Sequence, residues 1–436
     1  MSLPEHTDLL GIGFGPSNLA LAIALAEQDA PAVFVEAQSE FGWHRGMLLP
    51  GARMQVPFLK DLVTLRNANS DFTFVNYLSE RGRLVEFIGR HTLFPSRVEF
   101  HDYLEWAAKR VAADVRYGRR VVQISSDDQG FVVHTEPGPE IRAAAIVLGT
   151  GLHCVLPDGV TETTRQWHSC SLLGSLAALN PASPQRFAVV GAGQSAAEVA
   201  AYLHRTYPHA EVHAVYARYG YSVADDSPYA NRIFDPAAVD DFYTADAPLR
   251  QRLLDYHRST NYSAVDAHLI DDLHAREYAE RVSGQRRLFM HNASEVVAAE
   301  EDNDGVRLTV AHLIDQSRST LHCDAVVYAT GYAPLDVRHF LGDLADYYEF
   351  GGDGRPAVTR DYRLVAKPQA PGDIYLNGAV EHTHGLASSL LSNVAVRAGE
   401  IAAAAAVPSS AYRRAAAGVT MGTTNSSSIA RSSASS

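Results

Sequence analysis

Two apolar runs, each followed by a glycine-rich turn and an apolar helical pattern, organise the chain. The first is DLL at 8–10, followed by GIGFGPSN at 11–18 and LALAIALAEQ at 19–28. The second is FAVV at 187–190, followed by GAGQSAAE at 191–198. A buried strand, a glycine turn and a helix in this order are typical of a dinucleotide-binding unit. The wide separation of the two turns predicts two separate domains rather than a repeat array.

Shorter patterns fill in the rest of the architecture. Apolar runs predict further strands, at 32–36, 141–149, 211–215, 324–328 and 373–377. Between about 236 and 285 the pattern becomes helical, which predicts a small helical subdomain. From Pro408 onward Ser, Ala, Thr and Gly dominate, so we expect residues 407–436 to form a disordered tail. The fold class is therefore α/β, with two Rossmann-like domains.

Composition narrows the class of protein. The chain has 436 residues, of which 46% are hydrophobic and 20% charged, as in soluble globular proteins. Its net charge of −13 argues against nucleic acid as a partner. No apolar run reaches the roughly 18–20 residues of a membrane span, and the first ten residues lack a secretory pattern, so we expect a cytoplasmic protein without membrane attachment.

The cysteines bear on redox chemistry. Cys154, Cys170 and Cys323 are odd in number and have no close sequence pairing, which predicts reduced thiols. A thiol–disulfide reductase needs a redox-active cysteine pair, and the chain has neither a C-x-x-C nor a C-x4-C motif. That class of flavoprotein is therefore excluded at this stage.

The first glycine turn has the chemistry of a dinucleotide site. Gly11 and Gly13 occupy the positions for a tight turn and for close approach to a pyrophosphate. Pro16 replaces the third glycine, and proline is tolerated in a first helical turn. Glu36, at the end of the next predicted strand, is placed to accept the ribose hydroxyls of an adenosine.

The second turn differs in the residue that follows its next strand. Ala196 replaces the third glycine, and Arg218 stands near the place where a ribose-binding acid would be. An arginine there favours a 2′-phosphate, hence NADPH over NADH. The run Ala329-Thr330-Gly331 resembles a strand end that approaches a flavin. We therefore predict an FAD domain over 1–175 and 325–406 and an NADPH domain over 176–324, with no bound metal.

Several blocks of sequence carry a more specific resemblance. The run WHRGMLLPGARMQVPFLKDLVT at 43–64 resembles the siderophore-type N-hydroxylating flavin monooxygenases, most of all the L-ornithine N5-monooxygenases. Further matching blocks follow in the same order, at 72–77, 94–100, 192–198, 224–231, 260–263 and 382–392. The resemblance extends over residues 7–405, and its specificity comes from the blocks together rather than from any one of them.

The resemblance implies an activity and a set of roles. NADPH reduces FAD, O2 then gives a C4a-hydroperoxyflavin, and the side-chain amine of L-ornithine attacks it to give N5-hydroxy-L-ornithine for a hydroxamate siderophore or related peptide. Lys60 matches the lysine that pairs with the substrate carboxylate. The implied substrate-binding residues are Lys60, Asn231, Asn261 and Ser392, with Asn261 and Gln55 acting at the reaction centre. A homo-oligomer, either a tetramer or a dimer, is also implied.

Most of the expected cofactor contacts lie in the two turns and the 43–64 block. The complete predicted set is Gly11, Gly13, Gly15, Pro16, Ser17, Glu36, Trp43, His44, Gln55, Gly191, Gly193, Gln194, Ser195, Arg218, Thr330, Gly331 and Leu390. We expect His382 and His384 to hydrogen-bond around the flavin or its supporting loop rather than to bind a metal.

Three alternatives remain open on sequence alone. L-lysine N6-hydroxylation differs by one substrate methylene, worth only about 1–3 kcal/mol in a pocket. Flavin monooxygenases that act on sulfur or ketones carry a Phe-x-Gly-x-x-x-His-x-x-x-Trp fingerprint, which Gln166-Trp167-His168 does not reproduce. A non-catalytic flavin redox sensor would have no reason to keep Lys60, Asn231 and Asn261 in this context.

Overall fold

A computed structural model describes residues 5–179 and 183–406. The strands in these residues are β1 (Glu5–Ile12), β2 (Val33–Val35), β3 (Asp114–Arg116), β4 (Arg120–Asp127), β5 (Gly130–Glu136), β6 (Ile141–Leu148), β7 (Leu152–Cys154), β8 (Gln166–His168), β9 (Arg186–Val190), β10 (Glu211–Val215), β11 (Leu288–His291), β12 (Ser294–Glu301), β13 (Val306–His312), β14 (Arg318–Cys323), β15 (Ala325–Tyr328), β16 (Tyr332–Pro334) and β17 (Asp373–Leu376). The helices are α1 (Pro16–Ala26), α2 (Phe74–Glu80), α3 (Leu84–Gly89), α4 (Arg97–Arg110), α5 (Leu172–Ala178), α6 (Gln194–Thr206), α7 (Ala238–Thr244), α8 (Ala247–His257), α9 (Ala267–Ser283), α10 (Val337–Leu341), α11 (Glu381–His384) and α12 (Val394–Ala405). The predicted tail, 407–436, lies outside the described residues.

The first sheet is built around the first apolar run of the sequence. β1 pairs in parallel with β2 and β6, in the order β3-β2-β1-β6, and β17 pairs in parallel with β6. The antiparallel pair β4–β5 continues from β6. Helix α1 packs against α12, and its small alanine side chains are buried there. Leu9, Leu10 and Ile12, at the carboxyl end of β1, are buried in the first core, as expected for a parallel strand covered on both faces.

The second sheet carries the second glycine turn. Its five parallel strands have the order β11-β10-β9-β15-β8. Helices α6 and α9 pack together, and apolar side chains of both belong to one core with β9. The antiparallel sheet β12-β13-β14 contributes Val306, Leu308 and Val310 to a separate core with Val326 and Tyr328 of β15. The second domain therefore has three layers.

The strand pairing moves both predicted domain boundaries. Boundaries at 175 and 325 would assign β8 and β15 to the first domain, but both strands pair within the second sheet. The crossings between the sheets instead lie at about 149–165 and 329–335, where β7 and β16 form a two-stranded ribbon. This placement was not predictable from the apolar pattern, because a short apolar strand fits equally well at the edge of either sheet.

The helical pattern predicted at 236–285 is confirmed. Helices α7, α8 and α9 occupy most of this range. Phe234, just before α7, packs with Leu386 and Ala387 of the first domain. The hydroxyl of Tyr262 donates a hydrogen bond to the Glu381 carboxylate, so the helical segment is fastened to the first domain by both apolar and polar contacts. No helix within residues 5–179 and 183–406 is long and apolar enough to cross a membrane.

Buried His384 makes stability depend on pH. Its ring stacks on Tyr362 with centroids 4.3 Å apart, and burial lowers its pKa to about 4. The unfolded chain takes up a proton here below about pH 6.5, whereas the folded chain resists protonation until about pH 4. Stability should therefore fall as the pH decreases through this window, by about 3 kcal/mol from this residue alone. Urea unfolding at pH 7.5 and 5 should show a shallower pH dependence for His384→Gln. An identical dependence in the variant would contradict the assignment.

Candidate active site

The first glycine turn connects β1 to α1 and is shaped for close backbone approach. Gly13 has φ +85°, and a Cβ there would collide with the carbonyl oxygen of Gly149. Helix α1 begins at Pro16 without a side-chain cap, so its first N–H groups face the cavity that Gly13 and Pro16 line. A helix start of this kind, carrying partial positive charge, fits a pyrophosphate.

Glu36 lies where the sequence placed the ribose acid. It follows the last residue of β2, is 8% exposed and lines the same cavity. Its carboxylate accepts hydrogen bonds from the backbone N–H groups of Phe14, at 2.6 Å, and Gln38, at 2.8 Å. These bonds fix the carboxylate beside the glycine turn, which is the arrangement that an adenosine diphosphate group requires.

A network of buried polar side chains hydrogen-bonds to the first glycine turn and to the start of α1. Asn18 donates to the carbonyl oxygen of Gly13 at 2.7 Å, and Asn377 donates to the side-chain oxygen of Asn18 at 3.0 Å. Arg397, on α12, donates to Asn377 at 3.0 Å and to the Ser17 hydroxyl at 3.1 Å. The acceptors of these guanidinium hydrogen bonds are neutral groups, and the nearby Glu400 carboxylate also favours the charged form of Arg397. A buried positive charge with neutral partners thus stands directly behind the first turn of α1.

The second glycine turn repeats this geometry. Gly191 has φ +140°, and a Cβ there would collide with the carbonyl oxygen of Ala329. Gly193 is the N-cap of α6. Arg218 is exposed and donates to the backbone oxygen of Ser263 at 3.0 Å, and the Ser263 backbone in turn packs beside Gly193. The arginine is therefore placed next to the turn, as a 2′-phosphate contact would require.

The two turns open toward one cavity of about 890 Å³. This is near the upper end of the range for small-molecule and cofactor sites. Among the predicted site residues, those lining the cavity are Gly13, Gly15, Pro16, Ser17, Glu36, Trp43, His44, Gln55, Gln194, Ser195, Asn261, Leu390 and Ser392. Residues from both domains and from the helical segment thus meet at one place.

Eight of the predicted site residues do not line the cavity: Gly11, Lys60, Gly191, Gly193, Arg218, Asn231, Thr330 and Gly331. The Thr330 hydroxyl donates to the backbone oxygen of Val155, and the Gly331 carbonyl accepts from the N–H of Val155 at 3.1 Å. The physical reason is the strand pairing: β15 belongs to the second sheet, so the run that follows it supports the linker. Its counterpart Thr150-Gly151, at the end of β6, lines the cavity instead.

A polar bridge that the sequence did not predict joins the two domains across the cavity. The Asp266 carboxylate accepts from Gln55 at 3.1 Å and from Gln194 at 2.9 Å. Gln194 also donates to Glu198, and Glu198 forms a two-pronged ion pair with Arg97 at 2.7 and 2.8 Å. Asp266 is the N-cap residue of α9, and nothing in the local pattern distinguishes it from an ordinary cap.

His44 and Trp43 form the wall near this bridge. The two rings meet edge to face, with centroids 4.7 Å apart, and the Trp43 ring also contacts Phe100 of the first core. His44 is open to the cavity, yet the surrounding protein, with a smaller contribution from Arg97, lowers its pKa to about 4. His44 is therefore a neutral imidazole at physiological pH and adds no positive charge to this wall.

The predicted carboxylate-binding lysine lies at the edge of the helical segment. Lys60 is half-buried, and its ammonium lies 5.9 Å from the centroid of the Phe234 ring. Burial lowers the Lys60 pKa, which Asp235 partly offsets. Asn231 lies on the same short helix as Phe234, three residues earlier, and residues so spaced on a 3-10 helix share a face. The helix therefore brings Asn231 to the side occupied by Lys60.

Asn261 and Ser392 both line the cavity. Asn261 follows the 3-10 helix Arg258–Thr260, and Ser392, 3% exposed, lies in the turn before α12. Ser389 also lines the cavity, and its hydroxyl accepts a hydrogen bond from the backbone N–H of Ala379 at 3.1 Å. The Asn231 amide donates to the backbone oxygens of Asp226 and Ser227, which hold that loop.

The two predicted loop histidines do support the neighbouring loops. His382 contacts the backbone oxygen of Pro356 at 2.8 Å, and His384 contacts that of Arg360 at 3.2 Å. Neither is in the cavity lining, so both act on the loops behind it.

The prediction of three unpaired thiols is wrong. Cys154 and Cys170 form a disulfide, with Cα atoms 7.0 Å apart, while Cys323 is free and buried. The pairing was missed because Cys154 lies on linker strand β7 and Cys170 lies just after β8, so that only the chain reversal between the sheets brings them together. His168 lies beside them, but since the two sulfur atoms are bonded to each other, neither is available as a metal ligand.

This fold and site define a class of protein: two-domain oxidoreductases that bind a flavin and a pyridine nucleotide in facing Rossmann-like domains. A family model described as L-lysine 6-monooxygenase/L-ornithine 5-monooxygenase matches residues 5–334. The L-ornithine N(5)-monooxygenase of Burkholderia cepacia is 40% identical over 401 residues, covering 87% of this chain and 89% of that protein.

Solved structures agree with this match. The ornithine N-hydroxylase KtzI of Kutzneria sp. 744, with reduced FAD, NADP+ and L-ornithine, is 45% identical with a TM-score of 0.89, covering 92% of this chain and 99% of that one. The L-lysine 6-monooxygenase of Pseudomonas syringae is 32% identical with a TM-score of 0.82, at 92% and 99% coverage. The chain belongs to the L-lysine 6-monooxygenase/L-ornithine 5-monooxygenase family.

Proposed function

We propose that the protein hydroxylates the side-chain amine of L-ornithine to N5-hydroxy-L-ornithine, using FAD, NADPH and O2. The observation that carries the proposal is that Gly13, Gln194, Asn261 and Ser392 line one cavity. Lys60 lies beside Phe234, whose apolar cluster includes the cavity-lining Leu390. The similarity to L-ornithine N5-monooxygenases, including a structure that contains L-ornithine, supports this substrate.

The residues present fit both cofactors. Gly13, the start of α1 and Glu36 would hold the adenosine diphosphate half of FAD, while Gly191, α6 and Arg218 would hold NADPH. When bound, reduced FAD supplies the activation of O2. The chain itself binds and orients the two nucleotides, and Asp266 links the two halves of the site through Gln55 and Gln194.

The substrate residues suit an amino acid whose side-chain amine must react as a neutral group. A fixed lysine can pair with the substrate carboxylate. Asparagine and serine side chains orient an amine without favouring its ammonium form, which a nearby carboxylate would do. We assign the first task to Lys60, and the second to Asn261 and Ser392, with Asn231 positioning the helix beside Lys60.

The test gives the purified holoenzyme L-ornithine, L-lysine or putrescine together with NADPH and O2, and measures hydroxylamine product. We expect product mainly from L-ornithine. Product from L-lysine alone would replace the substrate assignment. NADPH oxidation that yields only peroxide with every amine would overturn the hydroxylation itself and favour a redox-sensing role.

Arg218→Ala is expected to raise the KM for NADPH about 10- to 100-fold, because a charge-assisted hydrogen bond contributes roughly 1.5–3 kcal/mol. The KM for NADH should change little, since NADH has no 2′-phosphate. Steady-state NAD(P)H oxidation measures both constants, and Arg318→Ala, on exposed β14, serves as the matched control. An equal rise in both constants would mean that Arg218 only supports the loop through Ser263.

We further propose a cytoplasmic homo-oligomer, either a tetramer or a dimer, whose product enters a hydroxamate siderophore or related peptide. A hydroxylated ornithine becomes a bidentate iron-binding group once its nitrogen is acylated. Light scattering of the purified protein tests the assembly, and a monomer at micromolar concentration would contradict it.

A further inference from the structure

The linker between the two domains carries a chemical feature that hydroxylation does not use. Cys154 ends β7, the strand that leaves the first domain, and pairs in register with Tyr332 on β16. Cys170 lies in the first turn after β8, within the second domain. The disulfide between them therefore joins the linker ribbon to the body of the second domain, across a separation of 16 residues.

Both cysteines lie where small molecules can reach them. Each is half-buried, and each lines the 890 Å³ cavity. Cys170 also abuts the first domain, because a Cβ at Gly46 would collide with its carbonyl oxygen. Cys323 provides the contrast within the chain. It is 3% exposed in an apolar core, and burial raises the pKa of its thiol to about 12, so it is protected from oxidants.

His168 shapes this site without serving as a base or a ligand. Its Nδ1 accepts a hydrogen bond from the backbone N–H of Cys170 at 3.2 Å, and its Nε2 donates to the Gly331 carbonyl at 3.0 Å. Both ring nitrogens are therefore engaged, and the ring fixes the Cys170 turn against the end of β15. The sulfur atoms are left to react with each other.

We propose that Cys154 and Cys170 form a reversible thiol–disulfide site that hydrogen peroxide oxidises and that controls the junction between the two domains. A disulfide in a protein of the cytoplasm is usually transient or redox-sensing. When NADPH is consumed without hydroxylation of an amine, O2 is reduced to hydrogen peroxide. The internal source of the oxidant therefore rests on the proposed function, whereas the bond between the two cysteines does not depend on it.

The chemistry balances with peroxide as the only co-reactant. One thiolate attacks a peroxide oxygen, so that an S–O bond forms, the O–O bond breaks and hydroxide leaves to become water. The second thiolate attacks the resulting sulfenic sulfur, so that the S–S bond forms and a second water leaves. The two sulfurs together lose two electrons and the peroxide oxygens gain two. A dithiol reductant reverses the step by exchange.

The bond should matter because it lies where the ribbon of β7 and β16 connects the two sheets. Domains linked in this way move relative to each other unless a large apolar interface prevents it. Reduction of the flavin requires the two nucleotides to meet in a narrow range of geometries at this junction. A disulfide between the linker and the second domain restricts the motion of the two domains, and it therefore restricts how the two nucleotides reach the geometry for flavin reduction.

The experiment compares holoenzyme treated with peroxide, holoenzyme treated with a phosphine reductant, and the variants Cys154→Ser and Cys170→Ser. Thiol counting after denaturation should give three thiols in reduced protein and one in oxidised protein, the remaining one being Cys323. Peptide mapping should locate the bond. Anaerobic stopped-flow measurement should show flavin reduction by NADPH about three- to tenfold slower in the oxidised protein, restored by reductant and insensitive to peroxide in both serine variants.

Several outcomes would overturn the inference. If peroxide leaves all three thiols free, the site does not form in solution. If glutathione cannot reduce the disulfide, the bond is a permanent structural cross-link and not a reversible site. If flavin reduction is equal in both states, the bond exerts no control on the junction. Protection of both thiols by zinc in the reduced protein would indicate a metal site with His168 instead. The mapping results hold even if L-ornithine proves not to be the substrate, so the two proposals fail separately.

Discussion

Replacing Lys60 with methionine is expected to raise the KM for L-ornithine about 30- to 150-fold, which corresponds to roughly 2–3 kcal/mol. Methionine keeps an unbranched stem against Phe234 but removes the one charge assigned to the substrate carboxylate. Because that carboxylate is remote from the reacting nitrogen, the loss should fall on binding, with kcat changed by no more than about threefold. Steady-state kinetics of hydroxylamine formation separates the two constants.

The diamine putrescine supplies the matched control for this variant. It has the reacting amine but no carboxylate, so its kcat/KM should be poor in both proteins and nearly equal between them. Lys109→Met, on the exposed end of α4, controls for the loss of a lysine as such. A similar loss with putrescine and with L-ornithine would show that Lys60 acts on the packing of the helical segment and not on the carboxylate.

Replacing Arg397 with methionine is expected to weaken FAD binding by about 30- to 1,000-fold and to yield protein that is purified largely without flavin. The guanidinium is 1% exposed and donates to Asn377, Ser17 and the Ser388 backbone oxygen. Removing it leaves these buried acceptors unpaired, at about 1–3 kcal/mol each before relaxation, and removes a positive charge from behind the helix that faces the pyrophosphate. Flavin fluorescence titration of apoprotein measures the effect.

Two companion variants separate charge from packing. Ser17→Ala removes the contact nearest the pyrophosphate while leaving Arg397 buried, and should weaken FAD binding by about tenfold or less. Arg397→Lys keeps the charge but loses the planar fork, so its affinity should lie between those of wild type and Arg397→Met. Arg110→Met, on an exposed surface pair, is the control. Wild-type FAD affinity in Arg397→Met would contradict this role.

The parts of the site that were predictable are those whose chemistry is local. The strand–turn–helix units at Gly13 and Gly191 are determined by backbone sterics within a few residues, so their sequence alone identified them. Glu36 was predictable for the same reason, because a ribose acid stands at a fixed distance beyond the turn. The family resemblance added Gln55, Asn261 and Ser392, all of which line the cavity.

The parts that escaped prediction depend on where distant segments meet. Asp266 looks like any helix cap until Gln55 and Gln194 are seen to donate to it. The Cys154–Cys170 bond needs the chain reversal between the sheets, which spacing rules for cysteine pairs do not cover. The position of Thr330 was not predictable because the strand before it could join either sheet, and the choice is made by β-pairing over long sequence separations.

The polar network behind the first glycine turn has a consequence for the order of events as the chain is made. The contacts Asn377–Ser17 and Arg397–Ser17 join residues 360 and 380 positions apart. The five strands of the second sheet, by contrast, all lie between β8 and β15, in the middle of the chain. Synthesis proceeds from the amino terminus, so the second domain can fold while the chain is still on the ribosome. The first glycine turn lacks its supporting contacts until α12 has been made. We therefore expect flavin uptake to follow the synthesis of α12, and we expect a chain that ends before residue 397 to retain its cofactor poorly.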